Sequence, residues 1–482
     1  MMGHQTTPQG KLFYANLSID RRVRPDHPLR KIDRLIDFDF VYKEVADKYG
    51  SNGNVSIAPP VILKLMLLLV FYNVRSEREL METLPERLDW LWFLGYDLDS
   101  EIPDHSVLSK ARKKWGAEVF KGFFERIVLQ CVKAGLVDGS KIFVDSSLVD
   151  ANASNNSVVD TRNLQLIKQY EELESRLEEK ESKDSGKVND RYKSTTDPDA
   201  AIVGRGKPKL TYQVHRAVDG RSEIITATET TPGDVNEAHV MMPLIEEHKN
   251  NTGISAETVV GDSKYGTIKN FLACHDRGIK AHIPDLRKAA EKRTEKLEIF
   301  KDDRFTYNKE SDTYTCPAGN ILKRRSLHAH RQGIDYGASK KACLACGLRE
   351  QCTRNKSGRT VKRHIRQEEL ENMRKASNSA ASRQDIRTRQ HLMERSFARA
   401  KRYGYDRARW RNLWRVKIQE YLTCAVQNIQ VLVRHGFRPK QSVAMAMEAV
   451  KEQAAVIIAK RNLKPVESFL KYFVCPPLAY LH

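Results

Sequence analysis

Asp145 stands inside the run KIFVDSSLV, whose alternating, β-branched residues predict a strand starting at Lys141. A carboxylate in that apolar setting costs free energy unless something pairs with it, and a divalent cation is one such partner. Asp262 follows a second apolar strand directly, in VVGDSKYGT, with Gly261 and Gly266 bounding the turn. Carboxylates at the ends of two strands of one sheet can converge at its edge, as hard cations with oxygen ligands require. A third is then expected on a helix packed on the sheet. Glu394 lies beside the stripe Met393, Phe397 and Ala400, and Lys401 follows two turns later on the same side. A metal-binding Glu and a phosphate-binding Lys on one face suit a scissile phosphodiester. Each residue also has a plainer reading, a strand-end Asp as a turn cap and a helix Glu beside Lys as a solvated pair. Asp150 falls on the opposite sheet face by period-two alternation and reads as structural. His215 and His239 read as hydrogen-bonded structural histidines, and Glu237, near the metals by position, stays unassigned.

Cysteines form a second constellation: Cys316-Pro-Ala-Gly, then Cys343-Leu-Ala-Cys346, then Cys352. Tetrahedral thiolate zinc needs paired ligands on tight turns, and Cys-x2-Cys supplies one such knuckle, so a structural Zn²⁺ is expected on Cys316, Cys343, Cys346 and Cys352. Cys131, Cys274, Cys424 and Cys475, isolated among apolar residues, read as core thiols. Basic residues form a third. Lys110, Arg112, Lys113 and Lys114 crowd one short helix after Pro103-Asp104-His105-Ser106, a pattern like the second helix of a helix-turn-helix. Arg407, Arg409, Arg411, Arg415 and Lys417 interleave with Trp410 and Trp414; the arginines are expected to meet DNA phosphates and the tryptophan pair to pack in a core.

The elements that must position these groups follow from periodicity. Residues 26–134 read as helical, with the apolar run VILKLMLLLVFY after Pro59-Pro60 and a capping box from Ser76 to Glu79. From Lys141 the period changes to that of strands. PKLTYQVHRAVDG and RSEIITATETT form a hairpin at Asp219-Gly220. A helix near 236–249, the strand ETVVGD, the helix TIKNFLACHDRG and the strand IKAHIP complete a β-β-β-α-β-α-β order, an α/β mixed sheet with helices, α+β over the whole chain. Residues 161–195 read as a charged helical insert, 295–365 break the regularity, and helices return from about Gln367. The expected organisation is an all-α DNA-binding region at 1–136, a catalytic core at 137–295 and 367–440 interrupted by a Cys-rich insert at 296–366, and a tail at 441–482.

A chain of 482 residues and formal charge +20 has room for two to four cored domains. Charge is not spread evenly: residues 321–420 carry +18, against +1 for 1–140, −4 for 141–320 and +5 for 421–482. A local excess of that size makes a field suited to nucleic acid. The longest apolar stretch, Val61 to Phe71, is broken by Lys64 and is shorter than the roughly 20 residues a bilayer requires, so no membrane role is expected. The first residues lack an apolar export signal, which makes a reducing cytoplasm the expected compartment and disulfides unexpected.

The ordered motifs His27–Arg30, Ser76–Leu80, Pro103–Ser106, Val144-Asp145-Ser146, Ser194–Ala200 (STTDPDA), Tyr212-Gln213-Val214-His215, Thr231-Pro232-Gly233, Gly261–Thr267 and Glu394 with Lys401 resemble those of the DDE transposases of bacterial insertion sequences. The resemblance implies a ribonuclease H-like core with Asp145 on the first strand, Asp262 just after the fourth and Glu394 on a late helix. The signature Tyr-x2-Arg-x3-Glu-x6-Lys fits Glu394 and Lys401, but Arg387 stands in place of its Tyr and Gln390 in place of its Arg; Asp385 and Glu369 are the fallback carboxylates. It further implies two Mg²⁺ (or Mn²⁺) ions roughly 3.5–4 Å apart, bridged by Asp145 and held individually by Asp262 and Glu394, with Lys401 orienting a phosphate. The same Cys-Pro-x-Gly and Cys-x2-Cys arrangement occurs in that family. The implied activity is cleavage at transposon ends and strand transfer, by a homodimer or higher oligomer on DNA. Two rivals explain part of the pattern: a zinc-containing DNA-binding regulator without catalysis, and a metal-dependent nuclease that never joins strands.

Overall fold

The computed structural model describes residues 2–3, 18–50, 55–161, 188–204, 207–285 and 299–435. Most of the expected charged insert, the 441–482 tail and Cys475 lie outside the described residues. Among those described, no helix is long and apolar enough to cross a membrane.

The N-terminal third is helical, as its periodicity predicts. Pro59–Phe71 is its centre, a helix buried on all sides except at its last residue. Such a helix can carry a charge only if the charge is paired, and Lys64 donates to Asp33 at 2.8 Å and to the Phe93 carbonyl at 2.9 Å. Ser76 caps Glu77–Thr83 through the Glu79 amide, while the Glu79 carboxylate reaches back to the Arg75 amide.

Beyond the helices Ser106–Trp115 and Ala117–Lys133 come β1 (Lys141–Asp150), the short pair β2 (Val158–Asp160) and β3 (Tyr192–Ser194), then β4 (Ala201–Val203), β5 (Lys209–Asp219), β6 (Ile225–Pro232), β7 (Thr258–Val260) and β8 (Lys280–His282). In the central sheet β6, β5 and β1 form an antiparallel meander, β7 and β8 run parallel to β1 on its other side, and β4 continues the β6 edge of β5. This order, with helices Met241–Thr252 and Ile268–Asp276 as the crossovers, is the ribonuclease H-like arrangement that was expected.

Alternation along β1 sends its side chains to two cores. Ile142 and Val144 join Ala217, Val259 and Met241 under the crossover helices. Phe143 joins Val218, Ile225 and Val260 in a core shared with the N-terminal helices and with the long helix Leu413–His435. The helical region and the sheet therefore share apolar interior, which the division at 136/137 did not anticipate.

The Asp219-Gly220 pair opens the β5–β6 connection, but the connection is longer than a two-residue turn: the Asp219 amide donates to the Ile224 carbonyl, and Glu223 takes the positive φ of 59°. Gly220 is needed for space, since a Cβ there would sit 2.7 Å from the Phe143 ring. Gly233 is needed likewise, because a Cβ would come 2.9 Å from the Thr211 carbonyl oxygen.

Within the segment expected to be irregular, residues 299–365 are more regular than their sequence suggests. They form a five-stranded antiparallel sheet, β9 (Thr306–Asn308), β10 (Thr313–Thr315), β11 (Ile321–His328), β12 (Gly333–Gly337) and β13 (Thr360–His364), over a small core of Phe305, Tyr314, Leu322, Tyr336 and Val361. β11 has a single buried residue, Leu322, so its pattern carries little alternation to read.

Glu247 sits half-hidden between the crossover helix Met241–Thr252 and Lys121, 3.6 Å away. Burial pushes its carboxyl up to about 7, with Lys121 opposing and Glu229 and Glu125 adding to the rise. A raised folded-state pKa means that the native protein holds this proton longer than the unfolded chain. The associated penalty is absent below about pH 4.5, grows as pH rises to about 7, and is full above it. Glu247→Gln should therefore raise the melting temperature at pH 8 and leave it unchanged near pH 4; an equal shift at both would contradict this assignment.

Candidate active site

Asp145 lies midway along β1 and Asp262 follows β7, the parallel neighbour of β1. Strand pairing thus brings the two to the same edge of the sheet. The third carboxylate that joins them is Glu237, in the short 3-10 turn Glu237–His239 after β6. One oxygen from each of Asp145, Glu237 and Asp262 falls within 4.8 Å of the others.

Local contacts orient all three. The Ser146 amide donates to Asp145 Oδ1 at 2.9 Å, and Arg389 of the late helix Ala380–Arg402 donates to its Oδ2 at 2.5 Å. Burial raises the Asp145 pKa against the pull of Arg389, and the Asp262 and Glu237 carboxylates raise it further. Asp262 caps its turn by accepting from the Lys264 amide at 2.9 Å, so the cap reading and the site reading hold together. Glu237 is 7% exposed. Its Oε1 accepts from Gln213 at 2.8 Å and from Lys264, whereas Oε2 is buried with no hydrogen-bond partner. Gln213 also donates to Ser146 Oγ at 2.7 Å. An open groove of about 490 Å³ adjoins the cluster, lined by Ser146, Gln213, Asn236, Glu237 and Lys264 among others.

Three carboxylates this close repel one another, and an orphaned buried oxygen is costly, so the donor set suits a hard divalent cation. Glu237, Gln213 and Lys264 were not assigned from sequence. The one signal pointing to them was their place inside or beside the matched motifs Tyr212–His215, Thr231–Gly233 and Gly261–Thr267.

Glu394 does not join the group. It is exposed on the late helix, accepting from Gln390 at 3.4 Å, while Arg389 on that helix is the residue that reaches Asp145. Lys401 is exposed as well. The fallbacks are engaged elsewhere: Asp385 accepts from Lys141 at 2.9 Å and His282 at 2.7 Å, and Glu369 from Arg366 at 2.6 Å. Asp150 pairs with Lys209 at 2.7 Å at the end of β1. His215 is buried against Thr231, with burial pushing its ring down to about 4, while His239 lies exposed.

Cys316, Cys343, Cys346 and Cys352 line one small cavity beside the insert sheet, with Phe305, Leu322 and Arg359. Burial raises the Cys352 thiol, and the other three sulfurs add to the rise. The four reduced thiols share this cavity, two of them on a Cys-x2-Cys knuckle, and are of the donor type that zinc takes. Cys131, Cys274 and Cys424 are buried, as expected of core thiols.

Two of the arginines expected to meet DNA are turned inward. Arg112 is 3% exposed, pairs with Glu77 at 2.5 Å and stacks 4.0 Å over Trp410. Arg409 donates to Asn73 and to the carbonyls of Val74 and Tyr403. Both line the inner wall of a cleft beside the docked Trp410. Lys110, Lys113, Lys114, Arg407 and Arg411 are exposed, and Arg415 is partly so. Trp410 and Trp414 pack against the shared core.

Two family models match the chain. One, described as a transposase domain (DUF772), spans residues 17–114; the other, described as a transposase DDE domain, spans 315–433 and includes Glu394 and Lys401. The chain thus carries a segment similar to a transposase domain and one similar to a transposase DDE domain, and the acidic cluster of Asp145, Glu237 and Asp262 lies between the two matched segments. The piggyBac transposase, in a synaptic complex with hairpin DNA, aligns over 97% of this chain and 88% of its own at 10% identity and a TM-score of 0.33, a likeness too weak to bear on the fold. No curated protein matches the sequence.

Proposed function

We propose that the chain is a DDE transposase that cuts DNA at the ends of its own mobile element and joins the released 3′ ends to target DNA, with a divalent cation, Mg²⁺ or Mn²⁺, held by Asp145, Asp262 and Glu237. The observation that carries the reading is the convergence of these carboxylates, from three separate elements of the sheet, around an oxygen of Glu237 that has no protein partner. When bound, such an ion polarises a phosphodiester and makes water or a 3′-hydroxyl a better nucleophile. The chain's own groups do the rest. Gln213 and Lys264 fix Glu237, Ser146 fixes Asp145, and the exposed Lys264 ammonium stands at the groove where an anionic backbone would enter. Glu394 and Lys401 lie within the matched DDE segment on the helix that docks at Asp145, and we assign them to the DNA-facing side of the site.

Purified protein incubated with plasmid carrying its flanking DNA should cut at the element ends only when Mg²⁺ or Mn²⁺ is present, and should join a pre-cut end to a second duplex. Cutting without joining would favour the nuclease alternative. No metal-dependent cutting would remove the catalytic reading.

We further assign the four-cysteine cavity as a structural zinc site. The protein should carry about one zinc per chain, lost together with thermal stability in Cys343→Ser or Cys346→Ser, because a structural site contributes folding free energy. Metal analysis finding none in protein prepared without chelator removes the assignment.

A further inference from the structure

Where the N-terminal helices meet the core, an open cleft of about 450 Å³ is lined by six arginines, Arg75, Arg78, Arg112, Arg409, Arg411 and Arg415, and by a single carboxylate, Glu77. Its walls come from distant parts of the chain: the start of the Glu77–Thr83 helix, the Ser106–Trp115 helix, Asn152 just past β1, and the segment 409–415. Glu77 is already committed, accepting from Trp410 Nε1 at 3.1 Å and pairing with Arg112. It cannot balance the other cations. Arg112 is almost wholly buried, yet its Nε has no hydrogen-bond partner, and the Nε of Arg409 is also buried without one. Buried guanidinium groups with unmet donors, beside further arginines at an open mouth, call for an anion with several acceptor oxygens.

We propose that this cleft binds the phosphodiester backbone of the DNA on which the transposase acts, clamping it between the N-terminal helices and the catalytic core. The proposal rests on the transposase reading and adds where the backbone is held. Asn152 lies two residues past the end of β1 and seven past Asp145, which places it at most roughly 23 Å from the acidic cluster at about 3.3 Å per residue. Duplex DNA covers that distance in about six or seven base pairs, at roughly 3.4 Å per step. One bound duplex can therefore reach both sites.

The test uses the full chain and a short duplex of its flanking sequence. Arg78→Gln with Arg415→Gln should lower affinity and flatten the slope of log K against log salt by about two units, and Arg78→Gln alone by about one. A control pair of equal charge, Lys249→Gln with Lys280→Gln at the opposite end of the sheet, should leave the slope unchanged. Arg78 is exposed and Arg415 partly so, and melting curves verify that each variant folds. A wild-type slope in the cleft pair overturns the proposal, as does equal flattening in the control pair. Metal-dependent cutting by the wild type, followed in the same preparations, keeps the two readings apart. Cutting with an unaltered cleft slope sinks the cleft alone; no cutting by the wild type sinks the active-site reading.

Discussion

Asp145→Asn and Asp262→Asn should each reduce metal-dependent DNA cutting by at least about a thousandfold, while duplex binding stays within a few-fold. Each substitution keeps the side chain's size and removes the charge, so a group supplying several kcal/mol of transition-state stabilisation is lost without disturbing the sheet. Glu237→Gln should weaken Mn²⁺ binding at least about tenfold, since even the outer partners of metal ligands are typically worth that much. Glutamine keeps the side chain's size and can still accept from Gln213 and Lys264 through its amide oxygen, so the fold should persist. Glu394→Gln separates two versions of the site. Loss of cutting with unchanged Mn²⁺ binding places Glu394 on the DNA side, as assigned here. Loss of both makes it a ligand in its own right, brought in when the complex assembles. Wild-type cation binding in Glu237→Gln would remove Glu237 from the cluster's chemistry.

The largest stability effect is expected at Arg216 and Glu420. Their side chains are 0% and 1% exposed and pair in bidentate fashion, at 2.6 Å from Nε and 2.9 Å from Nη2. Thr228 and Cys424 also donate to Glu420, at 2.8 and 3.0 Å, and Arg216 Nη1 donates to the Ser396 carbonyl at 3.2 Å. The cluster joins β5, β6, the late helix and the Leu413–His435 helix, which is how the matched C-terminal segment is fixed to the sheet bearing Asp145. Removing one charge leaves the other buried and uncompensated. Glu420→Gln should therefore cost about 3–5 kcal/mol, read as a lower urea midpoint with an unchanged slope. Arg216→Met combined with Glu420→Leu should cost less than either single change, because an apolar pair leaves no orphaned charge. A loss below about 1 kcal/mol in Glu420→Gln would show that the pair does not hold these elements together.

Local pattern alone determined the helices around Pro59–Phe71, the strands β1, β5 and β6, and the positions of Asp145 and Asp262, because alternation and strand-end turns are properties of a few neighbouring residues. It also singled out the local Cys-x2-Cys pair Cys343 and Cys346, whose cavity Cys316 and Cys352 share. What it did not determine was set by partners far apart in the chain. Glu237 belongs to the acidic cluster because Gln213, 24 residues earlier, and Lys264 orient it on the sheet. Arg112 looked like one more basic residue on a DNA-facing helix, but Trp410 and Glu77, 333 residues apart, are joined over it by a hydrogen bond. Arg216 and Glu420 are separated by 204 residues, and nothing local to either marks it as half of a buried pair. The five strands of the insert escaped notice because β9 and β10 are only three residues long and β11 buries only Leu322, which leaves little alternation to read. A side chain's type and spacing state what chemistry it can do. Whether it faces solvent, a metal or a buried counter-charge depends on which distant segment packs over it, and that only the tertiary structure decided.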